Sequence, residues 1–232
     1  MRNVSIISIF LLISITCVAQ SAAPPVDPKV PDTPVPTITF SLNWPEALPP
    51  FFSVVVEGNG RVAYQSSPKP NNQGDPYLVK FTASPEMQKK LFDTAEQLKH
   101  FNGDWDYKKN RVAFTGTKTL TFKNGEQEFH TTYNYSDNIQ IQQVTAIFMG
   151  ISETVEFGRK LAETYKFDKI GVDAVLKNME QAAKDGRMEE LQAIQPILSK
   201  IAKDTGMMNI SRRRAEFLLS KMPTGASVGG QP

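Results

Sequence analysis

Phe51–Gln65, FFSVVVEGNGRVAYQ, constrains the fold most, because two alternating runs meet at a tight reversal. Phe52, Val54 and Val56 alternate with Ser53, Val55 and Glu57, and beyond the turn Val62 and Tyr64 alternate with Arg61, Ala63 and Gln65. A period of two sends alternate side chains to opposite faces, so each run can cover a core on one side only. Glycine adopts positive φ freely and asparagine tolerates it, so Gly58-Asn59-Gly60 predicts a hairpin turn.

Similar grammar continues along the chain. Thr37–Leu42 alternates as a first strand, and Asn43-Trp44-Pro45 with Pro49-Pro50 makes a rigid loop into the hairpin. Ser66–Pro76 consists largely of turn formers, and Tyr77–Phe81 returns to alternation. Ser84-Pro85-Glu86 signals a helix start, with Met87, Leu91, Ala95 and Leu98 following at helical spacing up to a stop at Asn102-Gly103. Arg111–Phe114 and Thr117–Lys123 read as strand, Asn124-Gly125 as a two-residue turn, and Glu126–Tyr135 as the return strand.

From Ile139 the period changes to three and four. Ile141, Val144, Phe148, Ile151 and Val155 form one apolar stripe of a long helix reaching Tyr165. Further helices are expected over Asp173–Lys184, over Met188–Ala202 with Pro196 interrupting its interior, and over Ile210–Met222. The expected class is α+β: an antiparallel sheet of five or six strands covered by helices, followed by a C-terminal helical hairpin.

Both ends read differently from this body. Arg2 precedes an almost uninterrupted apolar run, Val4–Ile15, and Ala19, Ser21, Ala22 and Ala23 offer small residues for cleavage, the pattern of a signal peptide over 1–23. The run is well short of the roughly 20 residues a spanning helix needs, so the mature protein is expected to carry no transmembrane helix. Residues 24–36, PPVDPKVPDTPVP in the printed sequence, form a proline-rich linker, and 223–232 a glycine-rich tail. Between them lie an expected sheet domain over 37–166 and a helical segment over 167–222.

Cys17 is the single cysteine. Its position admits lipid anchoring as a second reading, which the preceding Ser14-Ile15-Thr16 fits badly. Once the leader is removed, thiol, disulfide and cysteine-metal chemistry are excluded. The formal net charge of +2 falls close to balance when Arg2 leaves with the leader, so nothing global calls for nucleic acid.

Chemistry-bearing candidates are few. In Asp104-Trp105-Asp106-Tyr107 two acids interleave with two aromatics, a composition that suits a carbohydrate or cation contact. As a calcium loop it fails, because Tyr107 stands where the sharp turn needs glycine and Ala113 where a bidentate glutamate is required. His100 and His130 are the only histidines, and His130 falls on the strand face opposite Phe129 and Tyr133. Arg212-Arg213-Arg214 is the one dense charge run; three successive helical positions fan over about 200°, so one arginine must approach the buried side and meet an acid such as Glu216 or Asp204. Its outward members are candidates for a partner's acidic surface or a lipid headgroup. G-x-S-x-G, H-E-x-x-H and a phosphate-binding glycine loop are absent from the sequence, and neither a metal nor a cofactor is expected.

FFSVVVEGNGRVAY, the helix ending near Leu98-Lys99-His100-Phe101 and the strand pair around LTFKNGEQEFHTTY together resemble a family of small exported bacterial domains of unknown function. That resemblance implies an antiparallel sheet, a packed helix and export, and it carries no activity. Leu191, Ile194, Ile197 and Leu198, Asp204 at a turn, then Arg212, Ala215, Leu218 and Leu219 resemble a single HEAT-type unit. One such unit cannot bury a solenoid core, so a helical hairpin docked beside the sheet is expected. The functional expectation is a non-catalytic exported module that binds an envelope protein. The alternative is a small exported hydrolase or ligand-binding enzyme with its site around Asp104, Trp105, Asp106 and His130.

Overall fold

Alternation in the sequence becomes a six-stranded antiparallel sheet: β1 (Thr37–Asn43), β2 (Phe51–Glu57), β3 (Arg61–Ser67), β4 (Tyr77–Thr82), β5 (Thr117–Asn124) and β6 (Gln127–Tyr133). The computed structural model describes residues 34–222. The expected leader with Cys17, the linker up to residue 33 and the tail from residue 223 lie outside the described residues. The strand order is β4-β3-β2-β1-β5-β6. The two hairpins therefore flank β1, which is paired on both sides. In register, Leu120, Phe40, Val54 and Tyr64 form one cross-strand row, and Phe122, Ile38, Val56 and Val62 the next. Both rows are buried. Asn124 pairs with Gln127, so the second turn is Gly125-Glu126, one residue later than its sequence suggests.

Five helices complete the α+β fold: α1 (Pro85–Gln97), α2 (Ile139–Phe167), α3 (Val172–Lys184), α4 (Gln195–Lys203) and α5 (Asn209–Ser220). Ser84 caps α1, its hydroxyl accepting from Met87 N at 3.3 Å. The Asn138 side chain caps α2 through Gln140 N and Ile141 N. The predicted stripe of α2 lies on the buried rows, with Phe148 stacked on Phe40 at 5.1 Å. Farther along, Leu161 of the same helix joins Leu176, Met179, Leu198, Ile201 and Leu218 in a second apolar cluster. α4 and α5 form the expected hairpin, and α3 packs beside α5.

Four local expectations are corrected. Arg111–Phe114 is irregular rather than strand, because Asn134 takes its hydrogen bonds: the side chain accepts from Thr115 N and donates to Ala113 O. Pro196 sits in the first turn of α4, where its missing N–H is no loss, and Leu191–Ile194 forms a separate 3-10 turn ahead of it. α1 ends before Asn102-Gly103; Lys99, His100 and Phe101 take φ of 51°, 58° and 65° in a left-handed turn. Such residues cost about 1–2 kcal/mol each, offset here by full burial of Phe101 and by His100 stacked 4.1 Å from Phe122. Finally, neither Glu216 nor Asp204 takes an arginine of the run; Asp173 and Glu180 do.

Arg187–Ile194 crosses α2 at close range. A Cβ on Gly158 would stand 2.2 Å from Ile194 Cγ2, and one on Gly150 2.7 Å from Glu189 Cγ. Glycine inside a helix costs about 1 kcal/mol, and these two positions allow the crossing in return. Within the crossing lies Glu190, buried and left-handed at φ 55°. Its carboxylate accepts from Ser84 N at 2.7 Å and Ser84 Oγ at 2.6 Å, with Gln192 donating as well. Gln192 Nε2 also reaches Thr82 O at 3.2 Å. Gly158→Ala is expected to destabilise the protein by about 1–3 kcal/mol through overpacking. Glu190→Ala should cost a similar amount, about 1–3 kcal/mol, by stranding the Ser84 amide. Urea unfolding checks both; a loss within about 0.5 kcal/mol, ordinary for a surface change, would refute the tight crossing.

Candidate functional site

Where β1, β2 and β3 run out toward the middle of α2, the buried row of the sheet changes character. Tyr64 holds its place in that row, but the next same-face residue is Ser66, and opposite them α2 presents Ser152 and Glu156 instead of aliphatic side chains. The four groups meet. Tyr64 OH donates to Glu156 Oε1 at 2.9 Å, Ser66 Oγ donates to the same oxygen at 2.6 Å, and Ser152 Oγ lies 3.1 Å from the phenol oxygen. Arg159 Nε donates to Glu156 Oε2 at 2.8 Å, and its guanidinium lies over the Tyr77 ring at 5.7 Å. Burial, reinforced by the Glu156 charge, pushes the Tyr64 phenol far above its ordinary range, so it stays protonated as a donor.

Above this polar base opens a cleft of about 810 Å³. Leu42, Trp44, Phe52, Tyr77, Met149 and Phe157 supply its apolar walls, and Arg159, Lys160 and Asp75 its charged rim. The Trp44–Pro50 loop forms one lip, closed by Trp44 N donating to Pro50 O at 2.8 Å and containing a cis Leu48-Pro49 bond. The volume suits a small ligand or a few residues of peptide. Both Glu156 oxygens are engaged by protein donors, which makes the carboxylate a fixed anchor for Arg159. The arrangement can bind an apolar body against the walls and an acceptor group at Arg159.

The Asp104-Trp105-Asp106-Tyr107 loop has another organisation. Asp104 pairs with Lys108 in the open, and that hydrogen bond holds its carboxyl below the usual range. Asp106 turns the other way, accepting from Asn134 N at 2.9 Å. Trp105 packs on the core cluster, and its buried indole N–H has no hydrogen-bond partner among the described residues. Tyr107 N donates to Tyr135 O at 2.8 Å, and the two rings meet edge to face at 5.7 Å. Lys118, on the buried face, donates to Thr115 O at 3.0 Å and to the carbonyl of Asn134, the residue whose amide donates to Asp106, at 2.8 Å, and burial lowers its pKa. His130 pairs with Thr121 on the uncovered face of the sheet, the side away from Trp105. The two acids diverge, and the histidine stands apart from both.

In the arginine run, Arg214 bridges α5 to α3 through Asp173 at 3.1 Å and Glu180. Arg212 Nε donates to Ala202 O at 3.1 Å, capping the end of α4, and Arg213 is exposed. Asp204 locks the α4–α5 turn by accepting from Tyr165 OH at 2.7 Å, Lys169 Nζ at 3.0 Å and Gly206 N at 2.8 Å. Among the described residues no group of three His, Cys, Asp or Glu could hold a metal, and no helix is long and apolar enough to cross a membrane.

The cleft base escapes sequence reading because its members are far apart along the chain. The available signals are Ser152 and Glu156, four apart inside an apolar helix, and Ser66 in the buried phase of a strand. No protein-family model and no curated protein matches this sequence.

Asp204 yields a pH prediction. The Tyr165 hydroxyl first, then Lys169, hold its carboxyl down to about 2 from an ordinary 3.8. A carboxylate depressed on folding stabilises fully above its unfolded value and loses that contribution as pH falls through the folded one. Stability should therefore drop between about pH 4 and pH 2 through this group, and Asp204→Asn should flatten that part of the acid-unfolding curve. An unchanged slope in calorimetry between those limits would refute the lock.

Proposed function

We propose that this is an exported, non-catalytic binding module of the cell envelope, and that its ligand site is the cleft between the β1–β3 ends and α2. The observation that carries this reading is the pairing of apolar walls with a base whose carboxylate is already saturated by Tyr64, Ser66 and Arg159. Such a base fixes Arg159 at the rim of the cleft, where it can meet a ligand's acceptor group. The ligand is an amphipathic molecule or peptide segment: an apolar group lies among Trp44, Phe52 and Phe157, and a carboxylate or carbonyl meets Arg159 and Lys160. Export rests on the apolar leader pattern of Val4–Ile15 and the small residues behind it. Divergence of Asp104 from Asp106, with His130 on the other face, weighs against the hydrolase alternative.

The test uses 1-anilinonaphthalene-8-sulfonate, an apolar anion, as a fluorescent probe. Saturable binding to the chain from Pro24 onward is expected, weakened about tenfold or more by Arg159→Glu and by Met149→Arg, which fills the cleft. Asp104→Asn and Asp106→Asn should bind as the parent does. Equal affinity in all four variants would overturn the cleft assignment, and loss confined to the Asp104 and Asp106 variants would restore the alternative site.

A further inference from the structure

At the far end of α2 the helical cluster leaves apolar side chains in water. The α2–α3 turn exposes Phe167 at 78% and Ile170 at 82%, and the α4–α5 turn exposes Met208 at 44% and Ile210 at 46%. These two turns sit side by side, because Asp204 of one accepts from Tyr165 and Lys169 of the other. Apolar exposure concentrated on adjacent turns at one end differs from the singly scattered hydrophobes of an ordinary surface.

The charges around this tip have one prevailing sign. Contacts place three lysines here, Lys166 beside Phe167, Lys169 on Asp204 and Lys200 over the Tyr165 ring, while Lys203 at the end of α4 and Arg213 one turn into α5 are exposed. The nearby carboxylates have partners within the protein: Asp204 is engaged by Tyr165, Lys169 and Gly206 N, the exposed Asp168 accepts from Gly171 N at 3.0 Å, and Glu163, one turn before Phe167, pairs with Arg159. Lys166 Nζ lies over the Phe167 ring, 4.8 Å from its centroid, so a cation and an exposed aromatic face share the same spot. An aromatic and an aliphatic side chain ringed by lysines is the chemistry of an interfacial anchor.

The geometry points to this tip as a peripheral docking surface for a lipid bilayer bearing anionic headgroups. Phe167 and Ile170 enter the boundary between headgroups and acyl chains, while Lys166, Lys203 and Arg213 meet the phosphates. Charge complementarity selects the anionic surface, and two inserted side chains make attachment reversible, since even a single acyl chain gives marginal anchoring. The tip is separate from the cleft, so this assignment stands whether or not the cleft binds a ligand.

Vesicle cosedimentation tests it with the chain from Pro24 onward, which retains every strand and both apolar clusters and lacks the apolar leader. Phosphatidylcholine vesicles containing phosphatidylglycerol should retain the protein, and pure phosphatidylcholine vesicles far less. A Phe167→Ser/Ile170→Ser variant should lose about tenfold or more in partitioning. Lys203→Glu and Arg213→Glu should each lose about fivefold or more on anionic vesicles. All three variants change exposed side chains, and an unchanged melting temperature confirms their folding. Parent and Phe167→Ser/Ile170→Ser protein partitioning alike would overturn the assignment, as would failure of the parent to bind anionic vesicles. A change in sedimentation-equilibrium mass without a change in partitioning would make the tip an interface between copies instead, and would equally overturn it.

Discussion

The burial of one sheet face under α2 is the contact on which the rest of the molecule depends. Phe40 on the central strand stacks on Phe148, and the rows on either side fill in around that pair. A sheet with one apolar face has no stability until that face is covered. The helix that covers it is long, 29 residues or about 43 Å at the ordinary rise, and overshoots the sheet. Its overhanging end organises α3, α4 and α5. Two glycines on its flank admit the segment that closes around it, and buried Glu190 fastens that segment to the start of α1.

The cleft arises from the same contact by a failure of match. The apolar stripe of α2 and the apolar row of the sheet run together from Ile141 to Ile151, and beside its continuation at Val155 a tyrosine and a serine of the sheet face Ser152 and Glu156. Buried polar groups must be paired, and here they pair with one another. Packing density falls where the aliphatic side chains stop, and the Trp44–Pro50 loop walls the opening without filling it. A cleft at such a boundary costs the core little, since its polar members are already satisfied.

Much of this architecture is legible in the sequence, because periodicity is a local property. The β2–β3 hairpin, the Ser84 cap and the stripe of α2 can each be read from a short window. What escapes such reading is non-local or conformationally unusual. Nothing near Thr37 says that β1 will sit between the two hairpins, and nothing near Glu190 says that its carboxylate will cap a helix more than a hundred positions earlier. Three successive left-handed residues without a glycine, at Lys99–Phe101, run against local preference and are held by the burial of Phe101 and the stacking of His100 on Phe122. The Asp104 loop attracts attention by its composition, yet its acids are spent on Lys108 and the Asn134 amide. The cleft offers no composition signal, since tyrosine, serine and glutamate gain their meaning only when β3 meets α2.

Sharing one helix between two apolar clusters has a mechanical meaning. Val155 belongs to the cluster beneath the sheet and Leu161 to the cluster among the helices, less than two turns apart on a continuous rod. Neither cluster can melt without uncovering part of the other's wall, so the molecule is built to lose its structure in one step. Because the rod passes beside the cleft and ends at the exposed tip, a tilt imposed at either place is carried to the other as a displacement. The helix thus acts as a beam as well as a cover.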